Sequence, residues 1–532
     1  MPSLGSVSIV KHWRCFSLLV FCAASTANTQ TEPPKASDPR NSAEQRTARA
    51  YDAARVNPLD LRAFLVRMPK GADLHYHLSG GIYAESWIRA AAEDGLCVDL
   101  ASHAFAKPAG LVPGDAVEPL CGAGKTPAAK AFTDQNLYDT LINTFSMRSF
   151  VPSPGVSGHD HFFDTFGKFG GTSKKHGGEW LDEAASRAAS QNEQYLELME
   201  TPDFAHTAQI AKLVGWQDDL AQLRKALLEH GVKDDIVAAS AARDEAEESR
   251  RKIEHCGEPQ EAPACKITIR YIYQILRGFP KEQVFAQTLL GFETASADPR
   301  FLGINFVMPE DGTISMADYA LHMKMVGFLH GLYPNVHISL HAGELAEELV
   351  PPEGLCCHIR LAVEEAHAER IGHGVDVMHE DRPYQLLKEM AARHVMVEIN
   401  LTSNDVILGV AGKEHPLPLY RKYHVPVALS TDDEGVSRIY LTHEYVRAAE
   451  TYGLSYADLK QMVRTGLEHN FLPGASLWRE ADVFTRVVVG CAKDPAGSAK
   501  PSPACESFLN SSEKARQQWE LERRFHEFET SF

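Results

Sequence analysis

The first residues whose types and spacing suggest chemistry are His75 and His77, in the sequence Asp73-Leu74-His75-Tyr76-His77. The short apolar run that ends here predicts a β-strand, in which residues two apart point to the same side. Both imidazoles would then face one point and bind one metal ion together. A histidine pair at this spacing is by itself a weak signal, because two polar residues at a strand end need have no joint role.

Three further motifs place polar side chains directly after predicted strands. His341 ends an apolar strand, and Glu344 follows it across a glycine. His373 lies between two glycines, which let the backbone approach a ligand closely. Asp432 and Asp433 are adjacent acids, whose repulsion requires a nearby cation or hydrogen-bond donor. The four motifs supply a metal centre of three nitrogen ligands and one oxygen ligand, with groups left for acid–base catalysis. The residues alone leave open which aspartate is the ligand.

The elements that would position these motifs are eight predicted strands that alternate with helical patterns. Such alternation predicts parallel βαβ units, and eight units favour a (β/α)8 TIM-type barrel of the α/β class. In that fold the active site is built at the C-terminal ends of the strands, where all four motifs lie. A doubly wound parallel sheet gives a similar pattern and stays open as an alternative. The predicted strands are 72–78, 194–199, 266–275, 303–307, 336–341, 370–374, 395–401 and 425–430.

The spacing of the strands predicts the domain organisation. Roughly 115 residues separate the first two strands, and we interpret about 97–175 as a partly helical insertion over the active-site face. Segments 315–332 and 512–529 are predicted as helices, and 209–249 as one or two charged amphipathic helices. The predicted divisions are a signal peptide (1–27), a flexible leader with an N-terminal helix (28–60), the barrel (61–475) and a C-terminal extension with a helix (476–532).

The N-terminal segment has the features of a secretory signal peptide. Lys11 and Arg14 precede a short apolar run, and small residues suited to cleavage follow near Ala27. We therefore expect an exported protein, periplasmic or extracellular; a short hydrophobic anchor is the alternative. No later stretch of 18 or more apolar residues occurs, so we expect no membrane segment in the mature chain.

Cysteine positions agree with an exported protein, and the net charge bears on its partners. Cysteines fall into local pairs across loops, as disulfides do in an oxidising compartment, whereas the adjacent Cys356 and Cys357 suggest no role. The net charge of −18 argues against nucleic acid as a partner. The sequence does not give the oligomeric state. The predicted pairs are Cys97–Cys121, Cys256–Cys265 and Cys491–Cys505.

On these motifs the sequence resembles the adenosine deaminase family of the metal-dependent amidohydrolase superfamily. Within it the chain is similar to the secreted branch of adenosine deaminase-related growth factors. The similarity extends over roughly residues 60–475. The matching stretches are Met68-Pro69-Lys70 with 74–78, then 195–198, 339–344, 370–374 and 430–433.

The resemblance implies roles for individual residues. Glu344 would protonate the purine ring nitrogen N1, and His373 would orient and help deprotonate the attacking water. Asp433 would accept a hydrogen bond from the purine. The metal, one Zn²⁺ per chain, would be held by His75, His77, His341 and Asp432. The substrate side of the site would comprise Asp433, His77, Ser79 and Met308.

Two of these positions depart from the family pattern. Ser79 replaces an aspartate that lies near the 5′-hydroxyl of the sugar, and Met308 replaces a small glycine that contacts the purine. The expected function is an exported zinc-dependent deaminase that converts adenosine, or a related aminopurine nucleoside, to the 6-oxo product and ammonia. Because of these departures, a metal-dependent amidohydrolase with another substrate is an alternative interpretation. A secreted binding protein without turnover is a third interpretation.

Overall fold

A computed structural model of the chain describes residues 39–111 and 119–532. The predicted signal peptide and residues 28–38 of the predicted leader lie outside the described residues. The central element is an eight-stranded parallel sheet whose spatial order is the chain order. Its strands are β1 (Gly71–His77), β2 (Glu193–Glu200), β3 (Thr268–Leu276), β4 (Phe301–Val307), β5 (His337–Ala342), β6 (Arg370–His373), β7 (Met396–Ile399) and β8 (Val427–Leu429). Each predicted strand matches one of these to within two residues at either end.

The sheet closes on itself between β1 and the residues that follow β8. Tyr76 and Asp432 form a parallel bridge. The backbone N–H of Asp432 donates to the His75 carbonyl at 2.8 Å, and the N–H of His77 donates to the Asp432 carbonyl at 3.1 Å. Closure removes both sheet edges, so the fold is a (β/α)8 barrel and the doubly wound alternative is wrong.

Helices cover the outside of the barrel. Every residue of β1 is buried, as expected for a parallel strand with packing on both faces. The main helices of the barrel are Gly177–Ser190, Ala205–Val214, Leu220–Glu229, Asp234–Ile253, Lys281–Ala297, Tyr319–His330, His358–Glu364, Pro383–Ala392, Leu401–Leu408, Leu417–Lys422, Leu441–Tyr452 and Tyr456–Glu468. The outlying helices are Pro39–Ala54, Pro58–Arg67, Pro503–Ser511 and Glu513–Thr530.

The segment between β1 and β2 combines small strands with helices. Its strands Cys97–Asp99, Phe105–Ala106 and Lys125–Pro127 form an antiparallel sheet. Helix Gly158–Thr165 packs against helix Leu401–Leu408 so closely that a Cβ atom on Gly158 would lie 2.0 Å from the Val406 carbonyl oxygen. The glycine permits this approach, which brings the segment to the C-terminal ends of the strands. Its other helices are Leu78–Gly81, Ala84–Glu93 and Gln135–Thr144.

Some local predictions differ from the structure. Segment 209–249 contributes to three helices rather than one or two, because the chain turns at Gly215 and Gly231, both at positive φ. The helix predicted over 315–332 is divided at Asp318.

The three predicted cysteine pairs are disulfide-bonded, and Cys356 is bonded to Cys357. Within 39–111 and 119–532, no helix has the length and apolarity needed to cross a membrane.

Candidate metal centre and active site

Three histidine nitrogens meet at the C-terminal end of the barrel. The Nε2 atoms of His75, His77 and His341 form a triangle with sides of 3.1, 3.2 and 3.3 Å. Nitrogens bound tetrahedrally to zinc at about 2.1 Å are separated by about 3.4 Å. The triangle therefore has the dimensions of one face of a zinc coordination sphere.

Asp432 supplies the fourth group. Its Oδ1 lies 3.1 Å from His77 Nε2 and 3.6 Å from His75 Nε2. The residue takes a left-handed backbone conformation with φ of 63°, a strained state that recurs at functional sites. Asp433 turns elsewhere, since a Cβ atom on Gly80 would lie 1.6 Å from its Oδ1. The geometry thus groups Asp432, and not Asp433, with the three histidines.

Each histidine is oriented by an oxygen on the far side of its ring. Because Nδ1 of each ring donates its hydrogen to that oxygen, Nε2 carries the lone pair. Three lone pairs and a carboxylate directed at one point repel one another unless a cation lies between them, so the residues fit a zinc-type ion. The acceptors are Glu398 Oε2 (2.6 Å from His75 Nδ1), Gln274 Oε1 (2.8 Å from His77 Nδ1) and Asn305 Oδ1 (2.9 Å from His341 Nδ1).

Glu398 is itself fixed by charge. Its Oε1 lies 2.7 Å from Arg370 Nε and accepts a hydrogen bond from Ser339 Oγ at 3.0 Å. Arg370 also pairs with Glu197 at 2.7 Å. The two carboxylates and the guanidinium are fully buried. A carboxylate held in this way keeps its negative charge and strengthens the donor power of His75.

Glu344 and His373 lie beside this group of ligands. His373 Nε2 is 3.5 Å from Glu344 Oε1 and 3.8 Å from Asp432 Oδ2. Burial, followed by the negative charges of Asp432 and Glu310, raises the pKa of Glu344 well above its usual value. Burial and these charges thus favour the protonated form of Glu344, which is the form that a proton donor needs.

Glu310 holds the backbone that carries Glu344. Its carboxylate accepts the N–H groups of Gly343 at 3.0 Å and Glu344 at 2.9 Å, and accepts from His358 Nδ1 at 2.5 Å. Burial alone would raise its pKa, but the His358 hydrogen bond and the charge of Arg277 lower it to about 2. The ionised Glu310 thus fixes the position of the loop.

A cavity of about 480 Å³ opens onto these groups. Met308 lies at its wall with φ of 84° and is 37% exposed. Its side chain folds onto Gly278, where a Cβ atom would lie 2.7 Å from Met308 Cε. Other lining residues are His77, Ser79, Phe162, Phe163, Phe166, Thr201, Gln274, Leu276, Val307, Pro309, His341, Glu344, Ile407, Asp432 and Asp433.

The structure brings together all the site residues predicted from the sequence. His75 and His373 are part of this group but do not line the cavity. Sequence reasoning missed the residues that orient the ligands. A charged residue inside the apolar strand β7 was the available signal for Glu398. Glu310, which holds the loop of Glu344, was also missed; it lies three residues after the end of β4. The three phenylalanines of the insertion gave no signal, because aromatic residues at such spacing are usually core.

Curated relatives match part of the chain. An adenosine deaminase from Escherichia coli strain SMS-3-5 is 39% identical over 137 residues, which are 26% of this chain and 38% of the relative. One from Clostridium perfringens is 32% identical over 168 residues, 31% of this chain and 43% of the relative. The chain thus spans less than half the length of these relatives.

Solved structures of similar shape cover more of the chain at lower identity. An adenine deaminase from Arthrobacter aurescens is 16% identical, with a TM-score of 0.46 over 76% of this chain and 94% of its own. The Arabidopsis ADAL complexed with GMP is 19% identical, with a TM-score of 0.48 over 77% and 94%.

A sequence profile of the family described as adenosine deaminase matches residues 181–479, which is more than half of the chain. The match contains His341, Glu344, His373 and Asp432, and barrel closure brings His75 and His77 to them from outside the matched range. The chain belongs to the adenosine deaminase family.

Proposed function

We propose that the protein is a zinc-dependent hydrolytic deaminase that converts adenosine, or a related aminopurine nucleoside, to its 6-oxo product and ammonia. The observation that carries this proposal is the buried group of His75, His77, His341 and Asp432 with the buried carboxyl group of Glu344 beside it. A proton donor next to a metal site is what hydrolysis of an amino-substituted aromatic ring requires.

The ligand set supports zinc and one ion per chain. Three imidazole nitrogens and one carboxylate oxygen suit zinc, although other first-row ions also bind such sets. When bound, the ion supplies Lewis acidity that makes water nucleophilic at neutral pH.

The residues of the chain would then move protons and orient the ring. Glu344 donates its proton to the ring nitrogen as the water oxygen adds to the amino-bearing carbon, which keeps negative charge off the ring. The carbon–nitrogen bond then breaks. One proton of the attacking water leaves with the amino group as ammonia, and the other returns to Glu344, so that the oxygen stays on the ring as the 6-oxo group. Asp433 lines the cavity, and its Oδ1 is buried without a hydrogen-bond partner among the described residues, which supports a role in binding the purine. His373 orients the attacking water.

The charge of the cavity favours a nucleoside or a base over a nucleotide. The described residues that line it include no lysine or arginine, but they include the carboxyl groups of Glu344, Asp432 and Asp433. A phosphate group would meet no counter-charge there. The rings of Phe162, Phe163 and Phe166 offer apolar surface on which a purine packs.

A substrate screen tests the proposal. Zinc-loaded protein is incubated with adenosine, 2′-deoxyadenosine, adenine and adenosine monophosphate, and ammonia release and ultraviolet absorbance are followed. We expect turnover of an uncharged substrate and at least about tenfold lower kcat/KM for the monophosphate, a loss of about 1.4 kcal/mol of transition-state binding. Absence of ammonia from all four would reject the aminopurine proposal in favour of another amidohydrolase substrate or a binding protein.

We also propose that the protein is exported and belongs to the secreted growth-factor branch of the family. The disulfides Cys97–Cys121 and Cys256–Cys265 support this proposal, because such bonds persist in oxidising compartments. Expression of the full chain in a host with a secretory pathway should yield protein outside the cytoplasm that begins near residue 28. Recovery of uncleaved chain from the cytoplasm alone would contradict export.

A further inference from the structure

A chain of buried hydrogen bonds reaches His373 from the side opposite Glu344. Asn404 Nδ2 lies 2.8 Å from His373 Nδ1, and His415 Nε2 lies 3.0 Å from Asn404 Oδ1. The backbone N–H of Leu417 lies 3.1 Å from His415 Nδ1. All four residues are buried, with exposures of 2% or less.

The direction of this chain is fixed at Leu417. A backbone N–H only donates, so His415 Nδ1 must accept. Leu417 begins helix Leu417–Lys422, where the backbone N–H has no partner within the helix. Burial, with a smaller effect of Arg447, lowers the pKa of His415 to about 4. His415 is therefore neutral and carries its single ring proton on Nε2.

The proton on His415 Nε2 determines the donor and acceptor in each of the remaining hydrogen bonds. His415 Nε2 donates to Asn404 Oδ1, so the amide nitrogen of Asn404 must point at His373. His373 Nδ1 then accepts, and the neutral ring carries its proton on Nε2. The opposite order would place two donors face to face between His415 and Leu417, or between His415 and Asn404.

We propose that Asn404 and His415 are positioning residues that fix His373 in the tautomer with its N–H directed into the active site. The assignment of the tautomer does not depend on the proposed deaminase function; only the expected effect on kcat rests on it. His373 Nε2 is buried and has no hydrogen-bond partner among the described residues. It faces Glu344 Oε1 and Asp432 Oδ2 at 3.5 and 3.8 Å.

The tautomer assigns His373 a narrower role than the family resemblance does. A nitrogen that carries a proton has no lone pair with which to take one from water. His373 therefore orients the attacking water by donating a hydrogen bond, and it does not act as the base in this form. Complete burial and the hydrogen bond to Asn404 leave the ring little freedom to reverse.

The direct test is nitrogen NMR of the zinc-loaded full chain labelled with ¹⁵N at histidine, at pH 7. The signal of His373 is identified by its loss in His373→Gln. We expect the proton on Nε2 and an unprotonated Nδ1. A proton on Nδ1, or on both nitrogens, would overturn the proposal. This measurement needs no substrate, so it stands apart from any failure of the proposed activity.

Kinetics of variants at Asn404 and His415, the two relay residues between Leu417 and His373, test the effect of this tautomer on catalysis. We expect His415→Leu and Asn404→Leu to lower kcat by about 10- to 100-fold, with zinc content unchanged, as for other residues that orient a catalytic group. The double variant should be no slower than the slower single variant, because both break one chain. His415→Gln should recover most of the loss relative to His415→Leu, since its amide offers a donor and an acceptor at similar separation.

A matched control separates the positioning effect from the general effect of replacing a buried histidine by leucine. His322 is a fully buried histidine outside the chain of hydrogen bonds, and His322→Leu should leave kcat and the His373 signal unchanged. The relay variants should shift the His373 signal toward a mixture of tautomers. A fall in kcat while His373 keeps its proton on Nε2 would reject the relay as the cause.

Discussion

The Nδ1 atom of His75 lies 2.6 Å from Oε2 of Glu398, and both side chains are fully buried. The two residues are 323 positions apart in the chain, on the first and seventh strands of the barrel. Their contact determines which nitrogen of His75 faces the metal site. The charge of Glu398 on the seventh strand therefore affects how His75 on the first strand is oriented toward the metal.

Replacement of Glu398 by glutamine should weaken zinc binding. The neutral amide no longer forms an ion pair with Arg370, and it is a weaker acceptor for the Nδ1 hydrogen of His75. His75 then becomes a weaker metal ligand, so we expect about 10- to 100-fold lower zinc affinity. Competition with a chelator measures it. Glu389→Gln, on the helix surface beside Arg393, is the control and should bind zinc normally. Equal affinity of the two variants would remove Glu398 from the support of the site.

Glu344→Gln should abolish deamination without loss of the metal. The amide keeps the shape of the side chain but has no acidic proton to give to the ring, and general acid catalysis contributes about 10²- to 10⁴-fold. Zinc content and kcat are measured on the same preparation. Turnover near the wild-type rate would show that another group protonates the substrate.

Glu310→Gln should reduce both stability and kcat, because the amide cannot accept both backbone N–H groups of Gly343 and Glu344. We expect a loss of about 2–3 kcal/mol in unfolding free energy, measured by denaturant titration. The control is Glu380→Gln, a buried carboxylate that accepts two N–H groups at the start of helix His358–Glu364. Both N–H groups donate to the same oxygen, which an amide retains, so this variant should leave stability and kcat near normal. Equal loss of kcat in both variants would contradict a specific role for Glu310.

Ser79→Asp should improve the use of adenosine over adenine. Ser79 lines the cavity where the family resemblance places a carboxylate near the 5′-hydroxyl of the sugar. One hydrogen bond to a charged group contributes about 1.5–3 kcal/mol, so KM for adenosine should fall by about tenfold or more. Adenine has no sugar and serves as the internal control. An equal change for both compounds would mean that Ser79 does not face the sugar.

His322→Leu should stabilise the protein in acid. Burial, then the charge of Arg277, lowers the pKa of His322 to about 4, against about 6.5 in the unfolded chain. The unfolded state therefore binds an extra proton between pH 6.5 and 4, and His322 costs stability as pH falls through this range. The advantage of the variant should grow by up to about 1.4 kcal/mol per pH unit. Denaturation midpoints at pH 8, 6 and 5 measure it; a constant difference would contradict the shift.

The sequence alone determined the parts of this protein that depend on local pattern. Alternating apolar runs predicted all eight strands, because buried parallel strands need continuous apolar residues whatever their partners are. The same runs located His75, His77 and His341 at strand ends. Three disulfides followed from cysteine spacing.

Tertiary structure decided what depends on distant residues. Asp432 and Asp433 are equivalent in the sequence, and only the left-handed turn at Asp432 and the contact of Asp433 with Gly80 separate them. The side chain of Met308 packs against Gly278 only because the ends of β3 and β4 are neighbours in the barrel. The tautomer of His373 depends on the backbone N–H of Leu417, to which it is connected by hydrogen bonds through the side chains of His415 and Asn404. Such properties arise from closure of the sheet, which brings residues together that no local pattern relates.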